Sequence, residues 1–192
     1  MKVPIILLFI FVLYGCTIES RPDKGETMEA PAEEDFDGDL IRFLEPVPYM
    51  QLPFSTSCDN EYDAPEYDTE LQRKFIEERG EYPYRRIPGN SDLQILMTLS
   101  PADILLPIIK TYDKEGKLIA SEQLFYKFCG GEPGYYHTEH IRINSNLVIE
   151  HIDSSWTYDV NDEQEEIEGT EKLEVVTQNF RILENGEIVK EK

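Results

Sequence analysis

The chain has 192 residues, a formal net charge of -21 at pH 7 and a hydrophobic content of 40%. This length is enough for one ordinary domain with its own core. Nucleic-acid-binding proteins carry a basic stripe, which this sequence lacks, so we expect no nucleic-acid partner. Either the acidic charge only keeps the protein soluble, or it attracts a basic partner or divalent cations.

The N-terminal segment has the pattern of an export signal. A basic residue at position 2 precedes an unbroken apolar run over residues 5–13. A transmembrane helix needs about 20 apolar residues, and this run provides about half of that, so we expect cleavage rather than a membrane span.

The segment Leu13-Tyr14-Gly15-Cys16 resembles the lipobox of bacterial lipoproteins. The resemblance implies that residues 1–15 are a signal peptide and that Cys16 becomes the lipidated first residue of the mature protein, which the acyl chains hold in a membrane. The residues after Cys16 lack the Asp that such signals use for inner-membrane retention. The implied location is the cell envelope, with the outer membrane favoured and both the periplasmic face and the cell surface left open.

Residues 16–39 are predicted to be an acidic, flexible tether. Nine side chains between positions 17 and 39 are acidic and two are basic, with few large aliphatic residues. Such a segment cannot offset the entropy of ordering its chain. Residues 40–192 are then expected to form a single β-rich domain, with no helix before residue 67.

An irregular entry with a short strand near residues 50–54 leads to one predicted helix. Thr69 and Gln72 form a capping-box pattern, apolar residues follow at helical spacing, and Gly80 provides a stop. These signals predict an amphipathic helix over residues 69–79.

The later sequence alternates strand patterns with turn signals. Strands are predicted over residues 93–100, 104–112 and 118–128, with hairpin turns at Gly116 and at Asn185-Gly186. The expected fold class is mainly β (α+β): an antiparallel β meander or open sheet with one amphipathic helix packed near it.

A third hairpin is predicted around residues 144–147. Pairing Ile143 with Val148 puts the apolar residues of both strands, including Trp156, on one core face. The same register places His140 directly opposite His151. The following segment, residues 159–171, has seven acidic and no basic side chains, so it is predicted to be a solvated loop; its cation binding is left open.

Two cysteines remain once Cys16 is assigned to lipid. In an oxidising compartment Cys58 and Cys129 are expected to form a disulfide, with two buried thiols as the alternative.

Histidines and acidic residues supply the candidates for chemistry. His140 and His151, with Glu150 or Asp153 nearby, have the ligand types that zinc prefers. Because their spacing fits no established zinc motif, no metal site is assigned and no cofactor is expected. Glu132 with His137 or Glu139 is a candidate acid–base pair. No nucleophile elbow or phosphate-binding glycine loop is present in the sequence, so we expect no enzymatic activity.

The segment over residues 130–137 is the predicted binding surface. Its candidate residues are Tyr135, Tyr136, His137 and Glu132, since exposed aromatic rings beside carboxylates suit a sugar or a protein partner. The expected function is that of a non-catalytic envelope lipoprotein that binds a protein or a glycan. The alternatives are an inhibitor or immunity-type lipoprotein that neutralises a basic enzyme, and a metal-dependent envelope enzyme.

Overall fold

The computed structural model describes residues 36–58, 60, 62, 69–76, 80–90, 92–127 and 129–191. The predicted signal peptide, Cys16 and most of the predicted tether lie outside the described residues. Within the described ranges, no helix has the length and apolar character needed to cross a bilayer.

The described residues form two helices and two antiparallel sheets. Sheet A has the strand order β2-β3-β4-β5, and sheet B has the order β1-β7-β8-β9-β10 with β6 also paired to β7. The expected class, mainly β with open antiparallel sheets, is confirmed. The elements are α1 (Gly38–Leu44), β1 (Phe54–Ser57), α2 (Thr69–Phe75), β2 (Tyr82–Ile87), β3 (Gln94–Pro101), β4 (Leu105–Tyr112), β5 (Leu118–Gln123), β6 (Gly130–Glu132), β7 (Tyr135–Ile143), β8 (Val148–Thr157), β9 (Lys172–Ile182) and β10 (Ile188–Lys190).

The main core lies between the two sheets. Alternate residues of each strand face inward, as the two-residue period of a strand requires. The buried side chains that meet there include Ile95, Met97 and Ile109 of sheet A and Ile143, Ile149 and Phe180 of sheet B. A second core covers the other face of sheet A, where Leu40 and Phe75 of the helices pack on Leu96 and Tyr112. The layers are therefore helices, sheet A and sheet B.

Helix α1 contradicts the expectation that no helix precedes residue 67. Asp37 caps it, because its Oδ1 accepts hydrogen bonds from the backbone N–H groups of Asp39 at 3.0 Å and Leu40 at 2.9 Å. The helix has seven residues and completely buries Leu40. Packing stabilises so short a helix more than propensity does, which is why its sequence gives a poor signal. The described fold begins at Phe36, within the predicted tether.

The predicted strands agree with the structure except at some of their ends. β3 and β4 match the predictions closely, whereas the third predicted strand, residues 118–128, ends at Gln123. Its continuation is irregular, and Leu124 and Phe125 are fully buried there. The short strand expected near residues 50–54 was placed too early: residues 50–53 are not in a strand, and β1 starts at Phe54. Helix α2 covers residues 69–75 of the predicted helix, whose residues 77–79 lie outside the described ranges.

The β4–β5 and β9–β10 hairpins are confirmed. Both use three-residue loops with a left-handed third position, occupied by Gly116 (φ 76°) and Gly186 (φ 87°). In each loop the glycine N–H donates to the carbonyl three residues earlier, to Asp113 and Leu183 respectively.

The predicted register of the β7–β8 hairpin is wrong by one residue. Its loop has the same hydrogen-bond pattern, but the left-handed position is occupied by Leu147 (φ 59°). Leucine at that position gives no sequence signal for the turn. Ile143 therefore pairs with Ile149, and His151 lies opposite Ile141 instead of His140.

Candidate functional site

The register assigns the residues of sheet B to two different faces. We call the face that packs on sheet A the inner face and the opposite one the outer face. Ile141 and Ile143 lie on the inner face, whereas Val148, Ile152 and Trp156 lie on the outer face. The expectation that these residues share one core face is wrong, because a shift of one residue exchanges the faces of a strand.

The two histidines predicted to face each other lie on opposite sides of the sheet. His140 is exposed on the outer face, and His151 is buried on the inner face. Glu150 shares the outer face with His140, and Asp153 shares the inner face with His151. The pair His140 and His151 is therefore unable to share one metal ion.

The inner face instead carries a group of buried polar side chains that we call the His-carboxylate cluster. It consists of His137 and Glu139 of β7, His151 and Asp153 of β8, and Lys127 from the irregular segment after β5. The relative exposures of the four strand residues are 1%, 0%, 3% and 8% in that order. Lys127 is the exposed member of the cluster, with 57% of its side chain accessible.

Glu139 is fixed by three groups of the protein. Its Oε2 accepts hydrogen bonds from the backbone N–H of Tyr126 at 3.0 Å and of Lys127 at 3.3 Å. Its Oε1 lies 3.0 Å from Nε2 of His151. A fully buried carboxylate needs such partners, because water cannot solvate it.

Asp153 has one histidine partner and one lysine partner. Its Oδ1 lies 2.8 Å from Nε2 of His137, and its Oδ2 lies 2.5 Å from Nζ of Lys127. Partial burial raises the pKa of Asp153, but hydrogen bonds and charge attraction from Lys127 and His137 outweigh it and the pKa is lowered overall. The hydrogen bond to Asp153 raises the pKa of Lys127.

Three members of the cluster have ligand atoms close enough together for one cation. One ligand atom each from His137, Glu139 and Asp153 lie within 4.8 Å of one another, and all three residues are buried. The candidate acid–base pairs are arranged differently: Glu132 is exposed opposite Tyr135 in the β6–β7 register, whereas His137 and Glu139 are buried and hydrogen-bonded within the cluster.

The sequence contains a signal for this cluster that the predictions from single residues missed. His137 and Glu139 are two residues apart, and so are His151 and Asp153. Residues two apart in a strand share a face, so each pair was predictable as a unit. The alignment of the two pairs depended on the register.

The predicted binding residues of the segment 130–137 are divided between the faces. Tyr135 is half-buried, and its ring is parallel to that of His137 on the inner face, with centroids 6.4 Å apart. Tyr136 projects to the outer face, where its ring lies 5.6 Å from that of Trp156. The expectation that Trp156 lies in the core is wrong, because it is half-buried on the outer face.

Tyr136 and Trp156 belong to an exposed apolar group that we call the outer stripe. Tyr136, Trp156 and Leu173 are directly opposite one another on β7, β8 and β9, and Val175 follows on β9. The relative exposures of Tyr136, Leu173 and Val175 are 39%, 56% and 52%.

Two polar features border the outer stripe. A groove of about 400 Å³ on the outer face is lined by residues that include Ser57, Asn60, His140, Arg142, Glu150 and Ile152. The acidic loop over residues 159–171 joins β8 to β9 at the end where Trp156 and Leu173 lie. This segment is a loop, as predicted, with one isolated bridge between Val160 and Glu166.

The expected disulfide joins Cys58 to Cys129, with Cα atoms 6.0 Å apart. It links the residue after β1 to the residue before β6. Sγ of Cys58 also accepts a hydrogen bond from the backbone N–H of Glu139 at 3.3 Å, so the bond lies next to the His-carboxylate cluster.

Comparisons with known proteins give no family for this chain: no protein-family model, curated protein or solved structure matches it.

Proposed function

We propose that this protein is a non-catalytic lipoprotein of the cell envelope that binds a protein partner through the outer stripe. The lipobox resemblance at Leu13-Tyr14-Gly15-Cys16 supports export and anchoring, with the outer membrane favoured. The exposed stripe on β7, β8 and β9 carries the binding part of the proposal.

The composition of the stripe favours a protein over a glycan. Leu173 and Val175 are more than half exposed, and they extend the aromatic pair Tyr136 and Trp156 across three strands. Contiguous exposed apolar surface of this kind is typical of protein interfaces, where tyrosine and tryptophan are enriched among the residues that contribute most to binding. A glycan needs aromatic rings flanked by hydrogen-bonding groups, which the neighbouring groove supplies, so glycan binding is the competing outcome of the test.

The charge next to the stripe favours a partner with a basic surface. The loop over residues 159–171 has seven acidic side chains and no basic one, and it begins at the end of β8. Opposite charges at the rim of an interface accelerate association and make it sensitive to salt.

The test compares two substitutions on the same face of sheet B. Leu173→Glu changes the outer stripe. The matched control Val189→Glu changes an exposed aliphatic residue opposite Arg181, about 26 Å away along β9. The full-length lipidated protein is crosslinked in its own envelope, and the crosslinked species are compared. We expect Leu173→Glu to remove a protein adduct that Val189→Glu retains; equal adducts in both variants would overturn the proposal.

Salt and purified glycans distinguish the kinds of partner. A protein with a basic surface should be captured at low ionic strength and released in part at high ionic strength. Cell-wall glycan fragments that bind with little dependence on salt, and that are lost in Tyr136→Ala, would replace the protein partner with a glycan.

The acidic loop also favours a second candidate function, the neutralisation of a basic enzyme. The test of this second function measures the activity of a basic cell-wall hydrolase with and without the purified protein. Inhibition that is lost when the loop acids are changed to their amides supports this function, and undiminished hydrolysis at low salt removes it.

A further inference from the structure

We infer that His137, Glu139 and Asp153 form a binding site for one divalent metal ion of the zinc class. The site lies on the inner face of sheet B, and the outer stripe lies on the other face. The inference is therefore independent of the proposed partner binding.

The strand geometry brings the three ligand atoms together. His137 and Glu139 are two residues apart on β7 and share a face, and Asp153 lies directly opposite Glu139 on β8. Zinc takes His nitrogen and carboxylate oxygen at about 2.0–2.2 Å. Three ligand atoms within 4.8 Å of one another therefore surround a position that one ion can occupy after small side-chain rotations.

The charge of the cluster favours an added cation. Two buried carboxylates, of Glu139 and Asp153, are matched by the single ammonium group of Lys127. Burying a carboxylate is costly without a partner of opposite charge, so a site with two of them attracts cations. A divalent ion would add positive charge beside both carboxylates and displace Lys127 from Asp153.

The groups around the three ligands are those that support a metal site. His151 and the backbone N–H groups of Tyr126 and Lys127 hold the carboxylate of Glu139 in place, as the outer partners of metal ligands do. Nδ1 of His151 is buried and meets no hydrogen-bond partner among the described residues.

The donor types select the class of ion. One imidazole nitrogen and two carboxylate oxygens suit zinc and similar first-row divalent ions, whereas calcium takes six to eight oxygen ligands. Lys127, whose side chain is more than half exposed, links Asp153 to the solvent-accessible surface.

The first experiment is calorimetric titration of the untagged, metal-stripped full chain with zinc chloride. We expect one ion per chain for the wild type and a loss of affinity of more than about 100-fold for His137→Asn, because a removed ligand costs more than a removed outer partner. His140→Asn is the matched control: it removes an exposed histidine from the outer face of the same strand and should bind zinc as the wild type does. Absence of one-to-one binding in the wild type, or an equal loss in both variants, overturns the inference.

A second variant and a spectroscopic readout cover the case in which His137→Asn fails to fold. Lys127→Met removes the ammonium group that competes for Asp153, so it should bind zinc more tightly than the wild type. Unchanged or weaker zinc binding by folded Lys127→Met would contradict the displacement of Lys127. With cobalt in place of zinc, the wild type should show the visible absorption of an ion with nitrogen and oxygen ligands, and a spectrum identical to that of aqueous cobalt overturns the inference.

Discussion

Sheets A and B each bury charged side chains, but the ratio of acidic to basic groups differs between them. Under the helices, Glu81, which directly precedes β2, forms one ion pair with Lys110 of β4; Oε2 and Nζ are 3.4 Å apart, and the two side chains are 0% and 6% exposed. Thr98 donates a hydrogen bond to the same carboxylate. In sheet B, two carboxylates share one lysine and two histidines, and Lys127 reaches solvent.

This difference separates a structural ion pair from a candidate site. The pair of sheet A balances its charge with one cation for one anion, and helices cover it. The cluster of sheet B has two carboxylates beside one ammonium group, and it has the ligand types of a metal site. Burial of charge is common to both, so the balance of charge and the access to solvent are what distinguish them.

The largest effect is expected for the disulfide beside the sheet B cluster. Replacing Cys58 and Cys129 by Ser should lower the free energy of unfolding by about 4 kcal/mol, because the bond closes a long loop in the unfolded chain; the sequence separation is 71. Urea unfolding measures the loss. The variant should also bind zinc more weakly, since Cys58 contacts Glu139. A loss below about 1 kcal/mol would contradict the entropic stabilisation expected for such a loop.

Breaking the ion pair of Glu81 and Lys110 should lower the free energy of unfolding nearly as much as removing the disulfide. Lys110→Met leaves the carboxylate of Glu81 buried without its cation, and we expect a loss of about 3 kcal/mol in urea unfolding. A double variant with Glu81→Leu and Lys110→Met should recover much of this loss. Zinc affinity should stay at the wild-type value in both, and a change would show that the two regions are coupled.

The corresponding change in sheet B should lower the free energy of unfolding by a smaller amount. Glu139→Gln weakens the hydrogen bonds from the backbone N–H groups of Tyr126 and Lys127 but also removes one of two buried carboxylates, so we expect the free energy of unfolding to fall by about 1 kcal/mol. A loss as large as that of Lys110→Met would show that the sheet B cluster is a structural network, and would remove the comparison. Differential scanning calorimetry without added metal measures the loss of stability in Glu139→Gln.

The sequence predicted the strand content well and the alignment of strands poorly. Alternating apolar residues identified β3 and β4, and glycine identified the turns at Gly116 and Gly186. Helix α1 was missed because its seven residues depend on packing rather than propensity. The His-carboxylate cluster was missed because its two halves align only in the observed β7–β8 register.

A smaller effect on stability is expected at the β7–β8 turn, whose Leu147 gave no sequence signal for the register. Leu147 has a φ of 59°, which costs a leucine energy that glycine avoids. Leu147→Gly relieves this strain, but it raises the unfolded-state entropy and removes a half-buried side chain that packs on the core between the sheets, so we expect a net loss of at most about 1 kcal/mol. Both charged regions should be unaffected, as measured by urea unfolding and zinc titration. A changed zinc affinity would indicate that the register had shifted.

The smallest effect is expected for the exposed pair that joins the helices over sheet A. The hydrogen bond and charge of Lys74 lower the pKa of Asp39 from 3.8. A lowered carboxyl pKa contributes stability above 3.8, and the contribution is lost as the pH falls through the folded-state pKa. Lys74→Met should thus be slightly less stable than the wild type at pH 7 and equal to it in strong acid, as measured by thermal unfolding.

The position of Trp156 provides an optical reporter for one half of this molecule. The chain has one tryptophan, and it lies half-buried in the outer stripe beside Tyr136. Indole emission shifts to shorter wavelength when water is excluded from the ring. The fluorescence of the unlabelled protein should therefore report occupancy of the outer face directly, while metal entering the opposite face of the same sheet leaves the emission wavelength nearly unchanged.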